Sequence, residues 1–204
     1  MVKTSKRNFG VYEKDMTDFW AQKIWAINGF VRENILGDKK ALDVGCGPRK
    51  LPGATGMDIA KFPGVDVVHD ANKTPWPIED NSFDIVLFNQ SLEHIEDVSS
   101  ALEEARRVLK VRGRLVIQVP YFRSVDAFAA THTHFFSTRA LDTIPDLSLN
   151  FKVLGFWCGW PHKSKNLLRQ FFKNFIHRFP DFYDKYLSIL IPVECLTWEL
   201  EKRN

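Results

Sequence analysis

With 204 residues, the chain has room for one α/β domain with a sizeable core and not for two. Hydrophobic residues at 45% and charged residues at 26% exclude a disordered or fibrous chain, and a net charge of +3 calls for no nucleic-acid partner. No apolar run approaches the ~20 residues of a membrane span, no signal core follows the charged start, and three cysteines without a C-x-x-C pair suit a reducing cytoplasm.

All of 1–204 reads as one domain, with a helical cap over 1–38, a core over 39–160, a helical insertion over 161–192 and a last strand over 193–204. Residues 1–10 are expected to be loose. From Tyr12 to Leu36, the apolar residues Met16, Phe19, Trp20, Ile24, Ile27, Phe30, Val31 and Ile35 recur at helical spacing and predict one helix, with Gly29 as its break point. Ala41-Leu42-Asp43-Val44 reads as a buried parallel strand that breaks into Gly45-Cys46-Gly47-Pro48. Two glycines there permit a sharp turn and leave no side chain between main chain and ligand. Thr55–Ile59 is a second strand carrying Asp58 at its end, where a carboxylate beside a Gly-rich turn can accept both hydroxyls of a ribose. The link between them, PRKLPGA, is too short for a crossover helix and predicts a bare loop or a single turn. Without a helix amino terminus there, Arg49 or Lys50 is the candidate cation for a ligand carboxylate, against the alternative of solvated surface cations.

Val65–His69 is the predicted third strand, followed by Asp70-Ala71-Asn72; an acid in that position also serves as a plain turn residue. Asp84–Phe88 reads as a fourth, doubly buried strand leading into Asn89-Gln90-Ser91-Leu92-Glu93-His94. A helix over Val98–Val111, a strand over Arg114–Val119 and a short helix over Ala140–Leu147 come next. Phe151–Gly159 and Val193–Leu200 are expected to close the sheet as an antiparallel pair. Between them, Leu167, Leu168, Phe171, Phe172, Phe175, Ile176 and Phe179 form an apolar stripe opposite Lys165, Arg169, Lys173, His177 and Arg178. One reading docks that stripe on the domain or over the active site. The other brings 164–191 to an anionic membrane surface or a lipid-linked substrate, with Tyr183, Tyr186 and Leu187–Ile191 adding apolar surface.

A dinucleotide site needs G-x-G-x-x-G, but Lys50 stands at the third glycine and Asp58 follows too soon; no phosphate loop is present either. The ordered blocks LDVGCGP, GMDIA, VVHDANKTPWPIEDNSFDIVLFNQSLEHIED and RVLKVRGRLVIQVPY resemble the Rossmann-like (class I) S-adenosylmethionine-dependent methyltransferases. The likeness is greatest to the small-molecule branch related to the ubiquinone and menaquinone enzymes, from about Leu42 to Ser137. The resemblance implies a three-layer α/β sandwich with a mostly parallel seven-stranded sheet, an antiparallel last strand and a helical insertion before it. It implies S-adenosyl-L-methionine as cofactor, held by Asp43, Gly45, Cys46, Gly47, Lys50, Asp58, Ile59, Asp70, Ala71, Asn89 and His94. In this likeness Asp70 bonds the adenine amino group, Ala71 offers its amide, and Trp76 stacks beside the ring. The amino-terminal helix covers cofactor and substrate, making Trp20 and Trp25 pocket candidates.

Methyl transfer from a sulfonium is an in-line displacement with an activated donor, so alignment does most of the work, worth ~7–11 kcal/mol. A base is needed only for a hydroxyl or protonated amine acceptor. The catalytic candidates are His94, His132 and His134, with Glu93, Tyr121 and Asp126 behind them. His132 and His134 lack a third ligand at an obvious spacing, so no metal is expected. Cys46 reads as a small packed residue. The Asn/Asp-Pro-Pro-Tyr signature of amino-group methylation is absent, Asn89-Gln90-Ser91-Leu92 standing in its place. The expectation is methyl transfer to a small-molecule, sugar or lipid-linked acceptor. The rivals are a non-catalytic domain that binds a nucleoside ligand or partner protein, and a nicotinamide oxidoreductase.

Overall fold

The structure, a computed structural model, describes residues 18–26, 29–161 and 166–204. Residues 1–10, and Met16, Ile27 and Lys165 of the predicted helices, lie outside them. One seven-stranded sheet organises the molecule. Its strands are β1 (Ala41–Val44), β2 (Thr55–Asp58), β3 (Val67–Val68), β4 (Phe83–Asn89), β5 (Leu109–Pro120), β6 (Phe151–Cys158) and β7 (Cys195–Lys202). Their spatial order is 3-2-1-4-5-7-6. Strands β1 to β5 are parallel, and β7 runs antiparallel to both β5 and β6. The chain first builds outward through β2 and β3, then returns to lay β4 beside β1. That reversal opens a crevice at the carboxyl ends of β1 and β4, where ligands bind open α/β sheets.

Side chains alternate between the two faces of the sheet. Leu42, Val44, Val86, Phe88, Leu115 and Ile117 pack on one face with Ala101, Leu102, Ala105 and Val108. Those last four belong to helix α2 (Val98–Val108), whose first turn is capped by Asp97 accepting from Ser100 N at 2.9 Å. On the other face, Ile85, Leu87 and Val116 meet Phe19, Ala21, Ile24, Trp25 and Leu51. The β1–β2 link carries no helix, as its length predicts, so this layer is thin. It consists of helix α1 (Trp20–Ile24), a small hairpin and loops. Glu199 of β7, fully buried, accepts from Ala21 N at 3.0 Å and so fixes the start of α1.

The structure corrects the single helix expected from Tyr12 to Leu36. Helix α1 ends at Ile24, and Trp25–Ala26 pairs antiparallel with Gly29–Phe30. Trp25 and Phe30 are paired across the hairpin with ring centroids 6.5 Å apart, a contact that the helical spacing of the apolar residues does not reveal. The third strand shrinks to Val67–Val68, and α2 stops at Val108 because the chain from Leu109 is already extended in β5.

The insertion forms helix α3 (Leu167–Arg178), but inside out. Leu167, Leu168 and Phe171 are exposed, and Ile176 is the buried residue of the helix. The polar side supplies the anchors: Lys173 Nζ donates to the Trp160 carbonyl at 2.8 Å, and His177 Nε2 accepts from Cys158 N at 3.1 Å. Burial, then the nearby Lys173 charge, pushes His177 down to about 4, which keeps its imidazole an acceptor. Beyond α3, Tyr183 is buried and its hydroxyl donates to the Ile191 carbonyl at 2.7 Å. The Tyr121 hydroxyl donates to Asp184 at 2.8 Å, and Thr138 Oγ1 does so at 2.6 Å. The insertion is therefore held by its second half and by polar contacts of its first.

Candidate active site

The turn after β1 and the tip of β2 close on each other as the residue types require. Asp58 Oδ2 accepts from Gly47 N at 2.8 Å, and Oδ1 accepts from Ala60 N at 2.9 Å. A carboxylate has room for about four hydrogen bonds, so acceptor capacity remains for ligand hydroxyls. Gly45 and Gly47 both have positive φ, +67° and +54°, but for different ends. A Cβ on Gly45 would sit 2.5 Å from Ser91 Cβ, whereas a Cβ on Gly47 would meet open space. Gly45 is thus a packing glycine, and Gly47 leaves its face clear for a ligand. Beneath the turn, Asp43 accepts from Leu51 N at 2.7 Å through Oδ2, while its buried Oδ1 has no partner. Burial pushes Asp43 up to about 7 against the opposing pull of the Leu51 amide and Lys50.

Two clefts lie over the carboxyl ends of the strands. The smaller, about 320 Å³, is walled by Gly45, Asp58, Ile59, Asp70, Ala71 and Asn72. The larger, about 1170 Å³, has apolar walls that include Trp25, Phe30, Val125 and Phe128, with polar groups from Asn89, Gln90, Gln118, Glu93, His94 and His132. Gln90 and His94 line both, so the clefts meet there. Gln90 holds a positive φ of 55°, and its amide donates to the Gln118 carbonyl at 2.9 Å. The Gln118 side chain in turn donates to Thr197 Oγ1 at 3.1 Å, tying this junction to β7.

Glu93, His94 and His132 converge at the junction. One ring nitrogen of each histidine and one oxygen of Glu93 lie within 4.8 Å of one another, and the two rings are 4.7 Å apart, edge to face. The Glu93 main chain holds the facing segment: its carbonyl accepts from Thr133 N at 2.8 Å and Thr133 Oγ1 at 3.0 Å. Nδ1 of His94 lies 3.1 Å from the Thr131 carbonyl, and Nδ1 of His132 lies 3.1 Å from the Ala127 carbonyl. A carbonyl only accepts, so Nδ1 carries the proton in both rings and Nε2 faces outward from that bond. Burial pushes Glu93 up to about 7.

Several sequence expectations are corrected. Trp76 is buried and lines neither cleft; its Nε1 donates to the Ala71 carbonyl at 3.1 Å and props that loop from behind. His134 lines neither cleft and sits with Nε2 3.0 Å from the Glu96 carbonyl, because the chain bends at this point, the amides of Thr133 and His134 both donating to the Glu93 carbonyl. Lys50 lines the larger cleft with its Nζ paired with Asp66 at 2.6 Å, whereas Arg49 and Arg32 are both exposed on that cleft. Asp43 acts through the turn instead of lining a cleft. Asp70 accepts from Asn72 N at 3.0 Å as a turn residue, yet also lines the smaller cleft. Cys46 lines the larger cleft, and burial and two nearby carboxylates push its thiol up to about 12, leaving no thiolate. Trp25 walls the larger cleft and Trp20 does not; Tyr121 is buried and bonded to Asp184, whereas Asp126 reaches the cleft. The wall residues Gln118, Val125 and Phe128 escaped notice because no motif or periodicity marks them.

A glycine turn gripped by a strand-tip carboxylate on a 3-2-1-4-5-7-6 sheet defines a class of protein. Residues 42–117 match the methyltransferase-domain family, and over this stretch the chain is similar to the Rossmann-like (class I) S-adenosylmethionine-dependent methyltransferases. Within that class it is similar to a demethylmenaquinone methyltransferase of Staphylococcus epidermidis, with 31% identity over 126 residues, 50% of this chain and 52% of that protein. It is also similar to a ubiquinone/menaquinone biosynthesis C-methyltransferase of Desulfotalea psychrophila, 48% identical over 54 residues, 26% of this chain and 21% of that protein. The aligned stretch thus spans between a fifth and about half of these curated relatives. A solved S-adenosylmethionine-dependent methyltransferase from Archaeoglobus fulgidus shares the fold, with a TM-score of 0.55, 19% identity, and coverage of 83% of this chain and 88% of that one.

Proposed function

We propose that the chain binds S-adenosylmethionine and transfers its methyl group to a small, largely apolar acceptor. The observation that carries this reading is the Asp58 carboxylate bonded to the Gly47 amide at the mouth of a cleft that joins a larger one at Gln90 and His94. Adenosine fits the smaller cleft: Asp58 takes the ribose hydroxyls, Ile59 offers an exposed apolar face to the base, and Asp70 with Ala71 reads its edge. The methionine end then runs over the Gly45–Gly47 turn toward Arg49 and the junction. The acceptor occupies the larger cleft, whose apolar walls and polar base suit an aromatic or isoprenoid-like molecule. His94 and His132, at the junction, are the groups that can take a proton from a hydroxyl acceptor. Calorimetry with the cofactor and its demethylated product tests the binding, and methyl-labelled cofactor incubated with cell extract tests the transfer. Absence of binding to either compound overturns the assignment; binding without any labelled product points to the non-catalytic reading.

The exposed side of the insertion supports a place at a membrane surface, the source of such an acceptor. Leu167, Leu168, Phe171, Phe182, Ile189 and Leu190 all face solvent, and clustered exposed apolar side chains mark protein or membrane contact sites. Arg178 and Lys185 lie against the rings of Phe179 and Tyr186 at its border, where cations meet anionic headgroups. Among the described residues no helix is long and apolar enough to cross a membrane, so the contact would be peripheral. Flotation with mixed phosphatidylcholine–phosphatidylglycerol vesicles tests it; recovery in the unbound fraction at low salt rejects it.

A further inference from the structure

We propose that Glu93, His94 and His132 form a binding site for a first-row divalent transition-metal ion, of the manganese-to-zinc series, at the junction of the two clefts. The inference does not depend on methyl transfer; it stands on the donor set alone.

Three observations point to a cation. First, two imidazoles and a carboxylate from two segments of the chain, the adjacent pair Glu93–His94 and the distant His132, bring one donor atom each to within 4.8 Å of one another. Nothing in sheet packing requires that convergence, and the Glu93 main chain enforces it by holding Thr133 with two hydrogen bonds. Second, both histidines donate Nδ1–H to backbone carbonyls, of Thr131 and Ala127. Such a bond is the usual outer support of a metal-bound imidazole, fixing the ring and leaving Nε2 as the ligating atom. Third, Glu93 is 1% exposed, and its Oε2 has no hydrogen-bond partner among the described residues. An ionised carboxylate oxygen left without a partner at such depth is destabilising unless something positive satisfies it. Among the described residues no lysine or arginine forms an ion pair with Glu93, and the two histidines are the ligating groups gathered beside its carboxylate.

The donor set selects the ion. Two nitrogens and one oxygen suit the borderline ions that imidazole prefers, and disfavour magnesium and calcium, which take oxygen shells. With bonds of about 2.1 Å, the donors of a tetrahedral site are about 3.4 Å apart, so the cluster would draw in by about an ångström. His94 is exposed and free of packing on its outer side, so the contraction is a small swing of one ring. Three protein ligands leave at least one position open. All three residues line the larger cleft, so that position faces the space assigned to the acceptor. An oxygen anion of a bound molecule is the chemistry such a position takes. His134, two residues from His132, lies outside the cluster and provides an internal control.

The rival occupant of Glu93 is a proton, which would neutralise the carboxyl and need no ion. The experiment separates the two. The untagged chain, stripped with a chelator and dialysed metal-free, is titrated with cobalt(II) while the visible ligand-field absorption is read. Zinc(II) is then added in competition. The expected result is one equivalent of cobalt(II) bound with a low-symmetry spectrum, displaced by zinc(II). Affinity should fall at least tenfold in each of Glu93→Gln, His94→Asn and His132→Asn and stay unchanged in His134→Asn. Thermal melts of each metal-free variant show that it is folded; Glu93→Gln, which keeps the shape and removes the charge, is the least disruptive. No saturable cobalt(II) signal overturns the proposal in favour of the proton, and binding that survives all three substitutions places the ion elsewhere and overturns it too. The readout involves no S-adenosylmethionine. Cobalt(II) binding by a chain that ignores the cofactor would sink the methyltransferase reading alone, and the converse result would sink the metal site alone.

Discussion

The Asp58 carboxylate accepts a hydrogen bond from the Gly47 amide at 2.8 Å, joining the tip of β2 to the turn that leaves β1. This single contact holds the proposed ribose-binding group and the glycine with open space before it in one geometry. Asp58→Ala removes both the anchor of the turn and the proposed acceptor of the ribose hydroxyls. A hydrogen bond to a charged group contributes ~1.5–3 kcal/mol, so affinity for S-adenosylmethionine should drop roughly ten- to a hundredfold by calorimetry. Unchanged affinity would show that the ribose sits elsewhere.

The two glycines of the turn should separate stability from binding. Gly45→Ala forces a Cβ to 2.5 Å from Ser91 Cβ at a φ of +67°, and should lower the melting temperature by several degrees, a loss of ~1–3 kcal/mol. Gly47→Ala meets open space in the free protein, so its cost is the smaller backbone strain of about 1 kcal/mol, while the methyl group intrudes on the ligand. The expected pattern is a clear loss of stability in the first and a larger loss of cofactor affinity in the second. The reverse pattern would contradict the assignment of the turn.

Asp43 gives the free protein a pH signature. Its carboxyl rises from 3.8 to about 7, chiefly through burial, so the folded state holds a proton that the unfolded state releases. Stability then carries no penalty from this group below about pH 4, loses ground as pH rises toward 7, and stays lower above it, by at most a few kcal/mol. In Asp43→Asn that loss is absent. The difference in unfolding free energy between variant and wild type should therefore shift in favour of the variant from pH 4 to pH 8, measured by urea titration. A difference independent of pH would show that Asp43 is ionised throughout.

Helix α3 should tolerate what a docked helix does not. Phe171→Ser and Leu190→Ser change exposed positions and should alter stability by less than about 0.5 kcal/mol while lowering recovery with anionic vesicles. Ile176→Ala, at the buried position, should cost ~2–5 kcal/mol in the same denaturation experiment. Equal destabilisation by all three would mean that the apolar stripe packs on the protein after all.

Local sequence by itself determined the parts that short-range chemistry controls. Apolar runs marked the parallel strands, Gly45 and Gly47 the turn, and Asp58 the strand-tip acid, because a buried strand and a positive-φ turn each accept few residue types. The seven-residue link excluded a crossover helix by length alone. What tertiary structure decided was every matter of which side faces what. The stripe of α3 has the same periodicity whether it faces core or solvent, and only the anchoring of Lys173, His177 and Tyr183 turns it outward. His132 and His134 look equivalent in sequence, yet a bend in the chain, with the amides of Thr133 and His134 both on the Glu93 carbonyl, sends one to His94 and the other to the Glu96 carbonyl. Helical spacing over Tyr12–Leu36 could not show that Trp25 and Phe30 meet across a hairpin. Burial, pairing and the convergence of Glu93 with two histidines 1 and 39 residues away depend on contacts between distant segments, and those exist only once the sheet has brought them together.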